Sequence, residues 1–147
     1  MQELVWKLRI ATLWIFFGVA MPTAMLLWMV EPGAIKEIMT GTVEGEDLSG
    51  PAMIVMALFI LIPMAMAFLT LVLKDTVNRW ANGVLGLIVA ILTIPDISGS
   101  LGDSKHSAFA LVMVASLVAA LLIVWHAWKW PEPKGAASVR HEDHAMT

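Results

Sequence analysis

The chain has 147 residues, which suits one domain and not two. It is 59% hydrophobic and 14% charged, against roughly 45–50% and about 25% in soluble domains, so an ordinary soluble globule is excluded. A formal net charge of −3 without a basic stripe gives no support to nucleic-acid binding, and the absence of cysteine excludes disulfides, thiolate metal sites and thiol redox chemistry.

The first apolar run, Ile10–Val30, follows Lys7 and Arg9 in the charged-then-apolar order of a signal peptide. Its 21 residues exceed the roughly 7–15 of a secretory apolar region. Glu31-Pro32-Gly33 closes it, where a signal peptide would have a small-residue cleavage site. The run is therefore expected to be retained as a transmembrane helix. Crossing about 30 Å of hydrocarbon takes about 20 helical residues, and three further segments qualify. The second is 51–73, opened by Gly50-Pro51, where proline needs no amide donor. The third runs from Thr76 to Pro95 with Arg79 in its first turn, and Pro95 to Gly102 reads as a turn. The fourth is Ser107–Trp128, stopped by Pro131 and Pro133.

Between the first two spans lies Glu31–Gly50. Its Ala34–Thr40 portion predicts a short amphipathic helix with Ile35, Ile38 and Met39 on one face, suited to a membrane surface. Gly41–Gly50 reads as a polar acidic loop. The expected fold is an all-α four-transmembrane-helix bundle over residues 1–131, with residues 132–147 as a mobile cytoplasmic tail.

Orientation follows the distribution of Lys and Arg. Lys7, Arg9, Lys74, Arg79, Lys129, Lys134 and Arg140 share one side, and only Lys36 and Lys105 fall on the other. This predicts a multi-pass membrane protein with both termini cytoplasmic. Trp6, Trp80, Trp125, Trp128 and Trp130 fall at the expected inner interface and Trp28 at the outer one, an aromatic belt, with Trp14 about one turn deeper.

Ionisable groups inside a membrane usually mark function, and these spans hold almost none. Small four-helix proton-coupled exporters use an embedded acid in the first span; Ile10–Val30 has none. Asp96 lies 16 residues beyond Trp80, roughly 24 Å along a helix, at the expected outer interface. It reads as a helix-end residue in the Pro95–Ser98 turn, with an acid at the mouth of a cavity as the functional alternative. His126 reads as an interfacial aromatic, because His106 lies 20 residues away at the opposite face and leaves it no ligand partner.

Met21, Met25 and Met29 recur every four residues, and Met53, Met56, Met64 and Met66 enrich the second span. Thioethers select Cu(I), but methionine is also ordinary packing material. His141, Glu142, Asp143 and His144 lack the spacing of a metalloprotease helix and read as a solvated tail. Asn82, Gly86 and Ala90 on the third span, and Ala115 and Ala119 on the fourth, are spaced by four. Such stripes let helices approach closely, within the bundle or between copies. Asn78, Arg79 and Asn82 are expected to join Lys74 and Asp75 in a polar cluster at the cytoplasmic end, an interface anchor or a site for an anionic lipid headgroup.

Several stretches together resemble a known family: Thr12-Leu13-Trp14-Ile15-Phe16, Pro32-Gly33 leading into Lys36-Glu37-Ile38-Met39-Thr40-Gly41, Val77-Asn78-Arg79-Trp80-Ala81-Asn82, and Trp125-His126-Ala127-Trp128-Lys129-Trp130-Pro131. The resemblance, over Leu8 to Pro131, is to small bacterial four-helix membrane proteins classed only as a domain of unknown function. It implies the architecture, a place in the bacterial inner membrane and no activity.

No Ser/His/Asp grouping at one depth, metal cluster or phosphate loop points to an enzyme, and no cofactor is expected. The leading expectation is an interaction or lipid-binding module without catalysis, partnered by membrane lipid, a second copy or another membrane protein. The alternative is a carrier or pore for a small apolar or weakly polar solute, with Pro22, Pro63 and Pro95 kinking three helices around a cavity.

Overall fold

A computed structural model describes residues 2–43, 45–100 and 106–130. The expected tail, its His141–His144 cluster, Pro131, and the stretch around Gly102 and Lys105 lie outside the described residues. The chain forms helix α1 (Gln2–Met29), a short helix α2 (Ala34–Met39), strands β1 (Thr42–Val43) and β2 (Glu46–Asp47), and helices α3 (Gly50–Val72), α4 (Asp75–Ser100) and α5 (Ser107–Trp128). Four of these helices are long and apolar enough to cross a membrane. The chain is an all-α four-helix membrane bundle, running up and down.

The up-and-down path gives the bundle two unlike ends. The start of α1, the α3–α4 junction and the close of α5 gather Lys7, Arg9, Lys74, Arg79 and Lys129 at a basic end. The α1–α3 connection and the start of α5 gather Glu31, Glu37 and His106 at an acidic end.

Around the bundle the order is α3, α1, α5, α4. The extensive contacts are α1 with α3, α1 with α5, and α4 with α5. Helices α3 and α4 are joined by a short turn yet touch little. The α4–α5 contact is close because both faces are small. Gly86 lies on the buried face of α4 with Asn82 and Ala90, against Ser116, Ala119, Ala120 and Ile123 of α5. A Cβ on Gly86 would stand 3.1 Å from methyl carbons of both Ile123 and Val124. Ala119 is buried and Ala115 half-buried. The stripe thus serves contact within the chain. Buried hydroxyls on these faces donate to their own helices, Thr93 to the Val89 carbonyl and Ser116 to that of Val112, both at 2.8 Å, so they pack as small, satisfied groups.

Four expectations from sequence are corrected here. Helix α1 begins at Gln2, before the apolar run, because Leu4, Val5 and Leu8 continue a good helical sequence. The turn expected from Pro95 does not form, and α4 continues to Ser100. A proline removes the hydrogen bond to the residue four before it and crowds that carbonyl, and membrane helices tolerate such a site where neighbouring groups compensate. The serines of the last turn bond back onto their own helix, Ser98 Oγ donating to Pro95 O at 2.8 Å and Ser100 Oγ to Asp96 O at 2.6 Å. Gly41–Gly50 is not wholly loop. It holds a two-residue antiparallel ladder, Thr42 opposite Asp47 and Val43 opposite Glu46, turned by Gly45 at φ +80°. Glu37 secures it, Oε1 accepting from the Gly45 amide at 2.7 Å. Finally, Trp28 and Trp130 belong to the interior, 4% and 5% exposed, and not to the aromatic belt. Counting residues along a helix sets depth, whereas rotation about the axis decides exposure.

Replacing Gly86 with Leu forces a branched side chain against α5. Overpacking typically costs about 1–3 kcal/mol, and that loss is expected in detergent-denaturation midpoints whatever the state of association. Unchanged stability with altered particle size would reassign Gly86 to a contact between copies.

Candidate functional site

Two constructions stand out, one at each end of the bundle. At the basic end a buried polar network ties three helices together. Asn82 is its hub. Its Oδ1 accepts from the Trp14 indole at 2.6 Å and from the Thr70 hydroxyl at 3.1 Å. Its Nδ2 donates to Asn78 O at 2.7 Å and to Asn78 Oδ1 at 2.6 Å. Asn78 Nδ2 in turn donates to the Thr70 carbonyl at 2.6 Å. Asn78, Asn82, Thr70 and Trp14 are all fully buried.

Each amide has a physical task. A helix leaves its last four carbonyls without intrahelical donors, and a bilayer interior offers no water to meet them. Asn78 meets that of Thr70, and Lys7 Nζ meets that of Leu73 at 3.0 Å. Lys7 also pairs with Asp75 Oδ1 at 2.8 Å. Asp75, in the first turn of α4, suits the positive end of that helix dipole. Trp14 lies seven residues past Lys7, about 10 Å deeper, so the network reaches well into the apolar part of the bundle.

At the acidic end the scant α3–α4 contact leaves space. A cavity of about 290 Å³ lies among α1, α3, α4 and α5. Its wall is thioether and aromatic: Met21 and Met25 from α1, Met56 and Phe59 from α3, Phe109 and Met113 from α5. Asp96 is the one carboxylate among its lining residues and sits beside Trp28. Both residues also border a second, more polar space of about 410 Å³ with Glu37, Ser100 and His106. Asp96 therefore stands where an apolar chamber meets a polar vestibule. Pro63 cannot donate to the Phe59 carbonyl, so one wall residue carries an acceptor without its helical donor. Above, His106 Nδ1 meets Glu31 Oε2 at 2.5 Å and ties α5 to the end of α1.

The residues singled out from sequence therefore divide. Asn78 and Asn82 come together in the network. Arg79 does not join them. It lies on the exposed side of α4, and Lys7 takes the place beside Asp75 that sequence gave to Lys74 and Arg79. Asp96 leaves the expected turn for the helix and reaches the cavity. His126 Nδ1 lies 2.7 Å from the Leu122 carbonyl, and its ring meets that of Trp6 edge-on at 5.1 Å. Met21 and Met25 line the cavity, whereas Met29, Met53 and Met64 are exposed and Met66 packs in the core. Among the described residues no three His, Asp or Glu converge on one point.

Trp14, Thr70 and Lys7 were missed as site residues. A signal existed for Trp14, because an indole N–H buried below the interface needs an acceptor. Thr70 carried none, and the charge of Lys7 spoke only for orientation.

Asn82→Ala leaves the Trp14 and Thr70 donors and the Asn78 Oδ1 acceptor unpartnered. A stranded buried polar group costs about 1–3 kcal/mol, although membrane cycles run nearer 0.6 kcal/mol per bond. The expected total is about 2 kcal/mol. Thr93→Val, which removes only a bond within α4, is expected to cost less than half as much. Equal losses in denaturation would deny the network its role.

No curated protein and no solved structure matches the chain. The model of one family, described as a family of unknown function (DUF6326), matches residues 4–137. The fold, the paired amides and the thioether cavity thus belong to a chain that is a member of the DUF6326 family.

Proposed function

We propose that the chain is a non-catalytic binding protein of the bacterial inner membrane whose site is the cavity between α3 and α4. Both termini face the cytoplasm, so the basic end is the inner one and the cavity opens toward the outer side. The distribution of cations supports this orientation, with Lys7, Arg9, Lys74, Arg79 and Lys129 at one end and Lys36 at the other among the described residues.

The carrying observation is the lining of the cavity. Ligand sites are mostly apolar chambers with a few placed polar groups. Here Met21, Met25, Met56, Phe59, Phe109 and Met113 supply the first and Asp96 the second. The ligand class is a small apolar or weakly polar molecule with one donor group for the Asp96 carboxylate. Methionine walls suit varied shapes, because the thioether chain is flexible and polarizable.

A carrier is the second reading, supported by the three prolines. Pro22 lines the cavity, Pro95 precedes Asp96, and Pro63 packs on Gly18. Each interrupts a helix ladder next to the space a solute would cross. An interaction module built on the Gly86 and Ala119 stripe has less support, since that stripe is occupied within the chain.

The test is native mass spectrometry of the chain from lipid nanodiscs offered two naphthalene probes, one neutral and one carrying a primary amine. Met25→Trp fills the chamber and is expected to weaken both by about tenfold, or ~1.4 kcal/mol. Asp96→Asn is expected to weaken the amine by a similar factor and the neutral probe by less. Failure of either probe to bind the unaltered chain would sink the reading.

A further inference from the structure

A third space lies at the basic end, on the outside of the bundle. It is a groove of about 360 Å³ between α4 and α5. Its floor is apolar: Gly83, Val84 and Leu87 on one side, Val124 and Ala127 on the other. Gly83 gives the groove its depth. A Cβ there would meet only the Ala127 methyl, at 3.9 Å, so any larger side chain would project into the groove. Trp80 and Trp128 flank the mouth, 71% and 78% exposed. Arg79 stands at the same mouth.

We propose that this groove is a site for one anionic glycerophospholipid of the leaflet at the basic end, the phosphate on Arg79 and an acyl chain along Gly83 and Leu87. From Arg79 to Leu87 is eight residues, about 12 Å of helix, running from the interface into the apolar layer. The occupant follows from charge and from what the neighbouring polar groups already do. Lys7 is held by Asp75 and Leu73, and Asn78 and Asn82 are spent inside the bundle. Lys129 lies over the Trp125 ring at 4.2 Å. Arg79 has no ion pair among the described residues. A guanidinium binds phosphate through two parallel hydrogen bonds. Indole rings favour the headgroup level, where one edge is apolar and the other wet. The proposal is independent of the ligand of the α3–α4 cavity.

The experiment is native mass spectrometry of the full chain with equimolar phosphatidylglycerol and phosphatidylcholine of identical acyl chains. The unaltered chain is expected to retain one phosphatidylglycerol at least fivefold over phosphatidylcholine. Arg79→Gln brings that ratio close to one, and Arg79→Lys leaves an intermediate value. Gly83→Leu lowers retention of both lipids together, because it fills the floor. Lys129→Gln, which removes a cation of the same end outside the groove, leaves the preference unchanged. Circular dichroism checks that each variant keeps its helices, which is expected of Arg79→Gln since the side chain is exposed. No headgroup preference in the unaltered chain, or an equal loss in Arg79→Gln and Lys129→Gln, overturns the site in favour of diffuse attraction to a basic surface.

Discussion

The rest of the bundle depends on the Asn82 carboxamide. In a low-dielectric interior a primary amide is costly unless both its donors and its acceptor are met. Asn82 meets them only when α1 presents Trp14, α3 presents Thr70 and Asn78 lies one turn below. That demand sets the rotation of α4. Once Asn78 and Asn82 face inward, helical period carries Gly86, Ala90 and Ile97 to the same side. The same rotation turns Arg79, Trp80 and Gly83 toward the α4–α5 groove, and puts Asp96 at the edge of the α3–α4 space. Three features far apart along α4 therefore follow from one hydrogen-bonding requirement.

Side-chain volume decides which helices lie close. Small residues bring α4 against α5, and Gly18 brings α1 against Pro63 and Met64 of α3. Between α3 and α4 no such zipper exists, and their contacts gather around Thr70, Asn78 and Asn82. Close packing at one end with none at the other leaves a chamber. The side chains of its methionine and phenylalanine wall need no hydrogen bonds, so its polar groups reduce to the Asp96 carboxylate and the Phe59 carbonyl that Pro63 leaves without a donor.

Four spans were legible because apolar length is a local property that any window reveals. The stripe through Asn82, Gly86 and Ala90 was legible too, since small and polar residues stand out against the apolar remainder of α4. Helices α1 and α5 lack that contrast. They are apolar on every side, so nothing local shows that Trp28 and Trp130 turn inward while Trp125 and Trp128 turn out. Pro95 misled for another reason. A proline signals a break by its own chemistry, but a membrane helix tolerates the loss of one ladder bond, and the serines after Pro95 find acceptors within the same helix, which no rule about proline shows. A cavity with Asp96 at its mouth was legible only as an alternative, and its lining was not, because its walls come from four helices whose order around the bundle only tertiary packing reveals.

The polar network also bears on how such a chain enters a bilayer. Its bonds fall into two sets by separation along the chain. Those among Thr70, Asn78 and Asn82 span 4 to 12 residues, whereas those to Trp14 and Lys7 span 68 and 66. The α3–α4 hairpin thus carries most of its amide pairing within itself and can leave the aqueous phase with those groups already neutralised against one another. The first helix contributes one indole and one ammonium to that turn. The hairpin alone can thus meet both Asn82 amide protons and one lone pair of its oxygen, and packing of α1 completes the set through Trp14.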